Sequence, residues 1–191
     1  DFDEAEYEIL AEYINNGGRI IIQAEDAERA NPFWRTTNPV ATNIARKLGA
    51  GFQIVSEING SAVGIPSTSD MQVMSNDLTS GIAPWRVFFS SPILLDAGIL
   101  STTLFKARAT NGQYYSFCED MMAGTRADGS KWGNIMILAD ADIWESTTAP
   151  NTIQFAKNLI ENSYLHRASA AAGVNPNNNS LDYQAKILGS D

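Results

Sequence analysis

Apolar positions recur at helical spacing over residues 3–15, where Ile9, Leu10, Tyr13 and Ile14 are expected to share one buried face. Asp3 followed three positions later by Glu6 is a capping-box start. Asn15-Asn16-Gly17-Gly18 is a stop, because glycine takes the left-handed backbone that a helix C-cap needs. The period then changes. Arg19-Ile20-Ile21-Ile22 is a short β-branched run that predicts a strand covered on both faces, as in a parallel sheet. Residues 24–37 read as a polar loop carrying Phe33 and Trp34. Asn38-Pro39 predicts a second helix, a capping residue followed by proline at the first helical position. Val40, Ile44 and Leu48 would line its buried face and Gly49 would end it.

From Phe52 to Cys118 the pattern shortens to alternating segments: Phe52–Glu57, Met71–Met74, Trp85–Phe89, Thr103–Arg108 and Tyr114–Cys118. Turn pairs such as Asn59-Gly60 and Asn111-Gly112 fall between some of them, which predicts strands and hairpins. Asn134–Leu138 is a second nearly continuous apolar strand and leads into Ala139-Asp140-Ala141-Asp142. A last helix over about 151–164 is expected to bury Ile153, Ala156, Leu159 and Ile160. Beyond His166 the chain turns Ala-, Asn- and Ser-rich, so residues 1–166 read as one domain and 167–191 as a polar tail. Such a tail is ordered only when tied to its own domain or to a neighbouring subunit, and a homo-oligomer is expected on that ground.

Composition narrows the partners. The 191 residues carry 22 acidic against 13 basic side chains, a net charge of −9, and a field of that sign repels nucleic acid and anionic lipid. A cation, a neutral polymer such as a glycan, or another protein stays open. No apolar run approaches the roughly 20 residues needed to span a bilayer. The chain opens on Asp1 with neither an initiator Met nor a signal peptide, so a processed chain or a piece of a longer protein is expected. Cys118 is the single cysteine, and no internal disulfide can form. Few Cys and Lys with abundant Asn, Ser and Thr point to a secreted or cell-surface home.

Three stretches carry a resemblance. They are Glu4 through Ile22 (a helix, a glycine pair and a strand), Asn76-Asp77-Leu78-Thr79-Ser80-Gly81-Ile82, and Trp132-Gly133-Asn134-Ile135-Met136-Ile137-Leu138-Ala139-Asp140-Ala141-Asp142 ahead of a helix opening at Asn151. Their order resembles the class I glutamine amidotransferase-like domains of bacterial surface and gliding-associated proteins and of some glycosidase accessory domains. The resemblance implies an α/β, flavodoxin-like three-layer sandwich, with a mostly parallel central sheet and a β-hairpin-rich insertion. It also implies a strand ahead of residue 3, which would lie on a removed segment or come from another chain. Active members carry a nucleophilic cysteine on the turn after the first of these strands. That turn here reads Gln23-Ala24-Glu25-Asp26, and the family's His-x-Glu pair is missing, the one histidine being His166. No catalytic residue is therefore expected, since a nucleophile and its base work only together.

Other residues carry the remaining chemistry. Cys118 reads as a buried small hydrophobe rather than as a dyad with His166. Strands 19–23 and 134–138 should run parallel, and ligands of open α/β sheets bind beyond the carboxyl ends of such strands. Glu25, Asp26 and Glu28 follow one strand, Asp140 and Asp142 the other, and together they could hold a hard cation such as Ca2+ or simply cap helices, since no EF-hand spacing is present. Phe33 and Trp34 are candidates to stack on a sugar, while Trp85, Trp132 and Trp144 belong more naturally in a core. Asn59-Gly60-Ser61 and Asn178-Asn179-Ser180 match the N-glycosylation pattern. The leading expectation is a non-catalytic structural or interaction domain that self-associates through its tail. The rivals are a cation- or glycan-binding module and a hydrolase working through Glu25, Asp140 and Asp142.

Overall fold

The computed structural model describes residues 2–25, 32–144 and 150–171, the side chains of 32–37 and 163–171 apart. Helix α1 (Glu4–Asn15) starts where the sequence places it: Asp3 accepts the N–H of Glu6 and Glu6 accepts that of Asp3. Replacing Asp3 with Ala is expected to lower stability by about 1 kcal/mol, read as a drop in the unfolding midpoint. Strands β1 (Arg19–Gln23), β2 (Phe52–Ile54), β3 (Glu57–Ile58), β4 (Ser61–Ala62), β5 (Met71–Val73), β6 (Ile93–Leu95), β7 (Ser101–Arg108), β8 (Tyr114–Met122) and β9 (Asn134–Leu138) follow, with helix α2 (Pro32–Lys47) after β1 and helix α3 (Pro150–Ala171) last.

The main sheet has the order β1-β9-β8-β7-β5, and only β1 and β9 are parallel. The mostly parallel, flavodoxin-like sheet expected from the sequence is therefore corrected to a mixed sheet. Two small antiparallel pairs, β2 with β6 and β3 with β4, accompany it. The physical reason lies in the connections. A parallel pair needs a crossover of a dozen or more residues. The turn at Asn111-Gly112, with Gly112 at φ 83°, joins β7 to β8 too tightly for that. β8 and β9 are joined by a loop that itself pairs Thr125 with Lys131, so β9 returns antiparallel to β8.

β9 is buried along its whole length and has a core on each face. Ile135 and Ile137 pack with Tyr7, Ile14, Phe52 and Met121 beneath α1 and α2. Met136 and Leu138 pack with Phe105, Phe117, Phe155 and Leu159. Phe105 is the hinge of that second core, 4.9 Å from Trp85 and 5.0 Å from Phe155 in edge-on contacts. The entrance to β9 leaves no room for a side chain: a Cβ on Gly133 would lie 2.0 Å from the Ile14 carbonyl oxygen.

Several sequence expectations change in this frame. β1 is an edge strand rather than one covered on both faces, and Ile21 at its centre is 44% exposed. α2 begins at Pro32, so Phe33 and Trp34 lie in its first turn instead of a loop and Pro39 sits inside the helix. On α3, Phe155, Asn158 and Leu159 face inward while Ile153 and Ile160 are exposed, and the helix, expected to end at about 164, runs to Ala171. Ile9 and Val40 are likewise exposed. On α3 the buried stripe is rotated away from Ile153 and Ile160, because the sheet contact selects the face.

A polar clamp closes one end of the parallel pair. Arg19 of β1 forks onto Asp120 of β8, Nε to Oδ1 at 3.1 Å and Nη2 to Oδ2 at 3.0 Å, while Nη1 reaches Asn162 Oδ1 on α3 at 3.0 Å. Asn134 Nδ2 donates to Asp120 Oδ2 at 3.0 Å, and both ionic partners are buried.

Candidate acidic site and exposed sheet edge

The other end of the parallel pair gathers acid. Ala24 extends the ladder by donating to the Leu138 carbonyl at 2.8 Å, which carries Glu25 to the level of Asp140. The Glu25 backbone is held by Asn38 of α2, whose Nδ2 donates to its carbonyl at 2.9 Å. Past β9 the chain enters a 3-10 turn, Ala141–Trp144. Glu25 Oε2 accepts the Ala141 N–H at 3.0 Å, and Gln23 Nε2 donates to the Ala141 carbonyl at 3.0 Å. Carboxylate oxygens of Glu25, Asp140 and Asp142 thereby lie within 4.8 Å of one another.

Asp140 is the most deeply buried member, at 1% exposure, and among the described residues its Oδ1 has no hydrogen-bond partner. Burial first, then the charges of Glu25 and Asp142, push its carboxyl up to about 8; hydrogen bonds from the backbone N–H groups of Asp142 and Ile143 oppose this. A group so perturbed at the carboxyl end of a sheet marks a candidate site on physical grounds. Chemically it can hold a proton or a cation. Asp26 and Glu28, the other acidic candidates, lie outside the described residues.

The remaining candidates separate from this cluster. The side chains of Phe33 and Trp34 are outside those described, as is that of His166 on α3. Cys118 is fully buried, and burial pushes its thiol well up, so it packs as a small apolar group. Trp85 packs on Phe105, Trp144 stacks on Phe155 at 5.8 Å, and the buried Trp132 lies under the Arg126 guanidinium at 3.7 Å. Asn59-Gly60, with φ of 53° and 76°, forms the β3–β4 turn. Sequence reasoning missed Asn38 as the anchor of Glu25, and Ser90, whose hydroxyl donates to the Ala139 carbonyl beside Asp140. A lone Asn or Ser carries no such signal until the fold brings it to its partner.

No family model matches the chain, and no curated protein does. Among solved structures, the N-terminal domain of mmIFT52 superposes with a TM-score of 0.55 at 12% identity, over 84% of this chain and 71% of that one. A β-galactosidase from Rahnella sp. R3 is matched at 14% identity and a TM-score of 0.47, over 86% of this chain and 22% of that one, a fit too loose to argue from. At such identity the first likeness is one of fold. Fold and site together define a mixed-sheet α/β domain with an acidic cluster at the carboxyl end of its parallel pair. Among the described residues no helix is long and apolar enough to cross a membrane.

Proposed function

We propose that this chain is a non-catalytic structural or interaction domain of a secreted or cell-surface assembly, and that it joins a second copy of itself along β1. The observation that carries the reading is the character of that edge. Among the described residues β1 pairs with β9 alone, and its centre is Ile20-Ile21-Ile22, with no charge, proline or bulge to blunt it. Edges are usually blunted in one of those ways because unpaired N–H and C=O groups template another strand. The opposite edge, β5, is short, spanning only Met71–Val73. Antiparallel pairing of two β1 strands about Ile21 would set Arg19 opposite Gln23, so no like charges meet. The turn after β1 supports the non-catalytic part of the reading: Ala24 and Glu25 stand where the resemblance to amidotransferase-like domains would put a nucleophile.

Light scattering on the full chain tests this. A dimer or larger particle is expected at about 100 μM, strengthened by salt, because a net charge of −9 per copy opposes association and is screened. Ile21→Lys is expected to give a monomer with a stability change within about 0.5 kcal/mol, as for other exposed positions. A monomeric wild-type chain at that concentration, or an Ile21→Lys particle as large as the wild type, would remove the reading.

A further inference from the structure

The acidic cluster poses a problem of its own, separate from the sheet edge. A buried carboxylate oxygen without a donor is costly, and gathering like charges around it adds to that cost. Among the described residues Asp140 Oδ1 is such an oxygen, and the ionisable groups set around Asp140 are the carboxylates of Glu25 and Asp142. None of the ion pairs among the described residues involves Asp140 or Asp142. The backbone holds the arrangement from three directions: Asn38 grips Glu25, Ser90 grips Ala139, and Gln23 grips Ala141. A positively charged ion would supply the missing partner without moving the chain.

We propose that Glu25, Asp140 and Asp142 bind one Ca2+ ion at the carboxyl ends of β1 and β9. Oxygens bound at about 2.4 Å to one shared Ca2+ ion can stand at most about 4.8 Å apart. The three carboxylate oxygens lie within that bound. All-oxygen ligands suit a hard cation rather than Zn2+ or copper. Asp142 is only half-buried, so the ion reaches the site from its side, and water completes the six to eight oxygens that Ca2+ takes. The bound ion ties the ends of both parallel strands to the 3-10 turn.

The test is calorimetric titration of the full chain, stripped with a chelator, with CaCl2 and separately with MgCl2. One Ca2+ per chain is expected, with Mg2+ weaker by about tenfold or more, because it demands a tighter octahedron. At a hundred times the dissociation constant, Ca2+ should raise the unfolding midpoint by about 5–10 °C. Asp140→Asn and, independently, Asp142→Asn should each weaken Ca2+ by about tenfold or more, since ligand charge sets affinity. Both substitutions keep the side-chain shape, and Asp142 is half-buried, so a misfolded Asp140→Asn would leave the test intact. The proposal is overturned if no heat and no midpoint shift appear up to about 10 mM Ca2+, a level beyond the weakest Ca2+ modules. It is equally overturned if both variants bind as the wild type does, or if Mg2+ binds as tightly as Ca2+.

Discussion

Asp140→Asn is expected to stabilise the metal-free chain by several kcal/mol at pH 8 and by almost nothing at pH 4. In the folded chain the Asp140 carboxyl is raised from 3.8 to about 8 by burial and by Glu25 and Asp142. Between those two values the folded chain holds a proton that the unfolded chain has released. Stability from this group is therefore complete below about pH 4, declines as pH rises toward 8, and is lost above it. A gap of about four units corresponds to a difference on the order of 5 kcal/mol across the window. Asparagine keeps the cap on the 3-10 turn and removes the charge, so the variant should lack the slope. Urea unfolding at pH 4, 6 and 8 in the presence of a chelator measures it. Parallel curves for the two proteins would show that Asp140 titrates alike in the folded and unfolded chain and would refute the prediction.

The second large effect belongs to the clamp at the other end of the strands. Arg19→Met should cost about 3–5 kcal/mol, the loss typical when one partner of a buried pair is removed. The reason is what stays behind. Asp120 is buried, burial already raises its carboxyl, and Arg19 is the main influence pulling it back down. Without the guanidinium, Asn134 Nδ2 is the donor among the described residues that still faces the carboxylate, at 3.0 Å. The double change Arg19→Met with Asp120→Leu should recover most of the loss, because two apolar side chains leave no orphaned charge. A loss below about 1 kcal/mol for the single variant, or a double variant no better than the single, would show that the pair does not hold the strands.

Local features were legible because their causes are local. The cap at Asp3 and Glu6, the glycine stop at 17–18, the unbroken burial of Asn134–Leu138 and the tight turns at Asn59-Gly60 and Asn111-Gly112 each rest on residues a few positions apart. The convergence of Glu25, Asp140 and Asp142 was legible too. Two apolar runs, each followed at once by acid, place that acid together once the strands are parallel, and they are. The resemblance to a flavodoxin-like domain carried the sheet too far, since it took that parallel pair for the rule.

Tertiary structure alone decided the rest, because it depends on partners distant in sequence. Which helix face is buried is set by the sheet beneath: isoleucines at 9, 153 and 160 look like core by period and lie outside, while Tyr7, Phe155 and Asn158 lie inside. That Ile21 sits on an edge follows from β1 pairing, among the described residues, with β9 alone, which no property of β1 records. Asp140 and Asp120 are both aspartates at strand ends or within strands, yet one faces two other carboxylates and the other a guanidinium. The sequence by itself settled where α1 begins and ends, where the tight turns at Asn59-Gly60 and Asn111-Gly112 fall and which two strands carry acid at their ends. Burial and charge pairing, which are sums over neighbours brought from more than a hundred residues away, were settled by the packed chain.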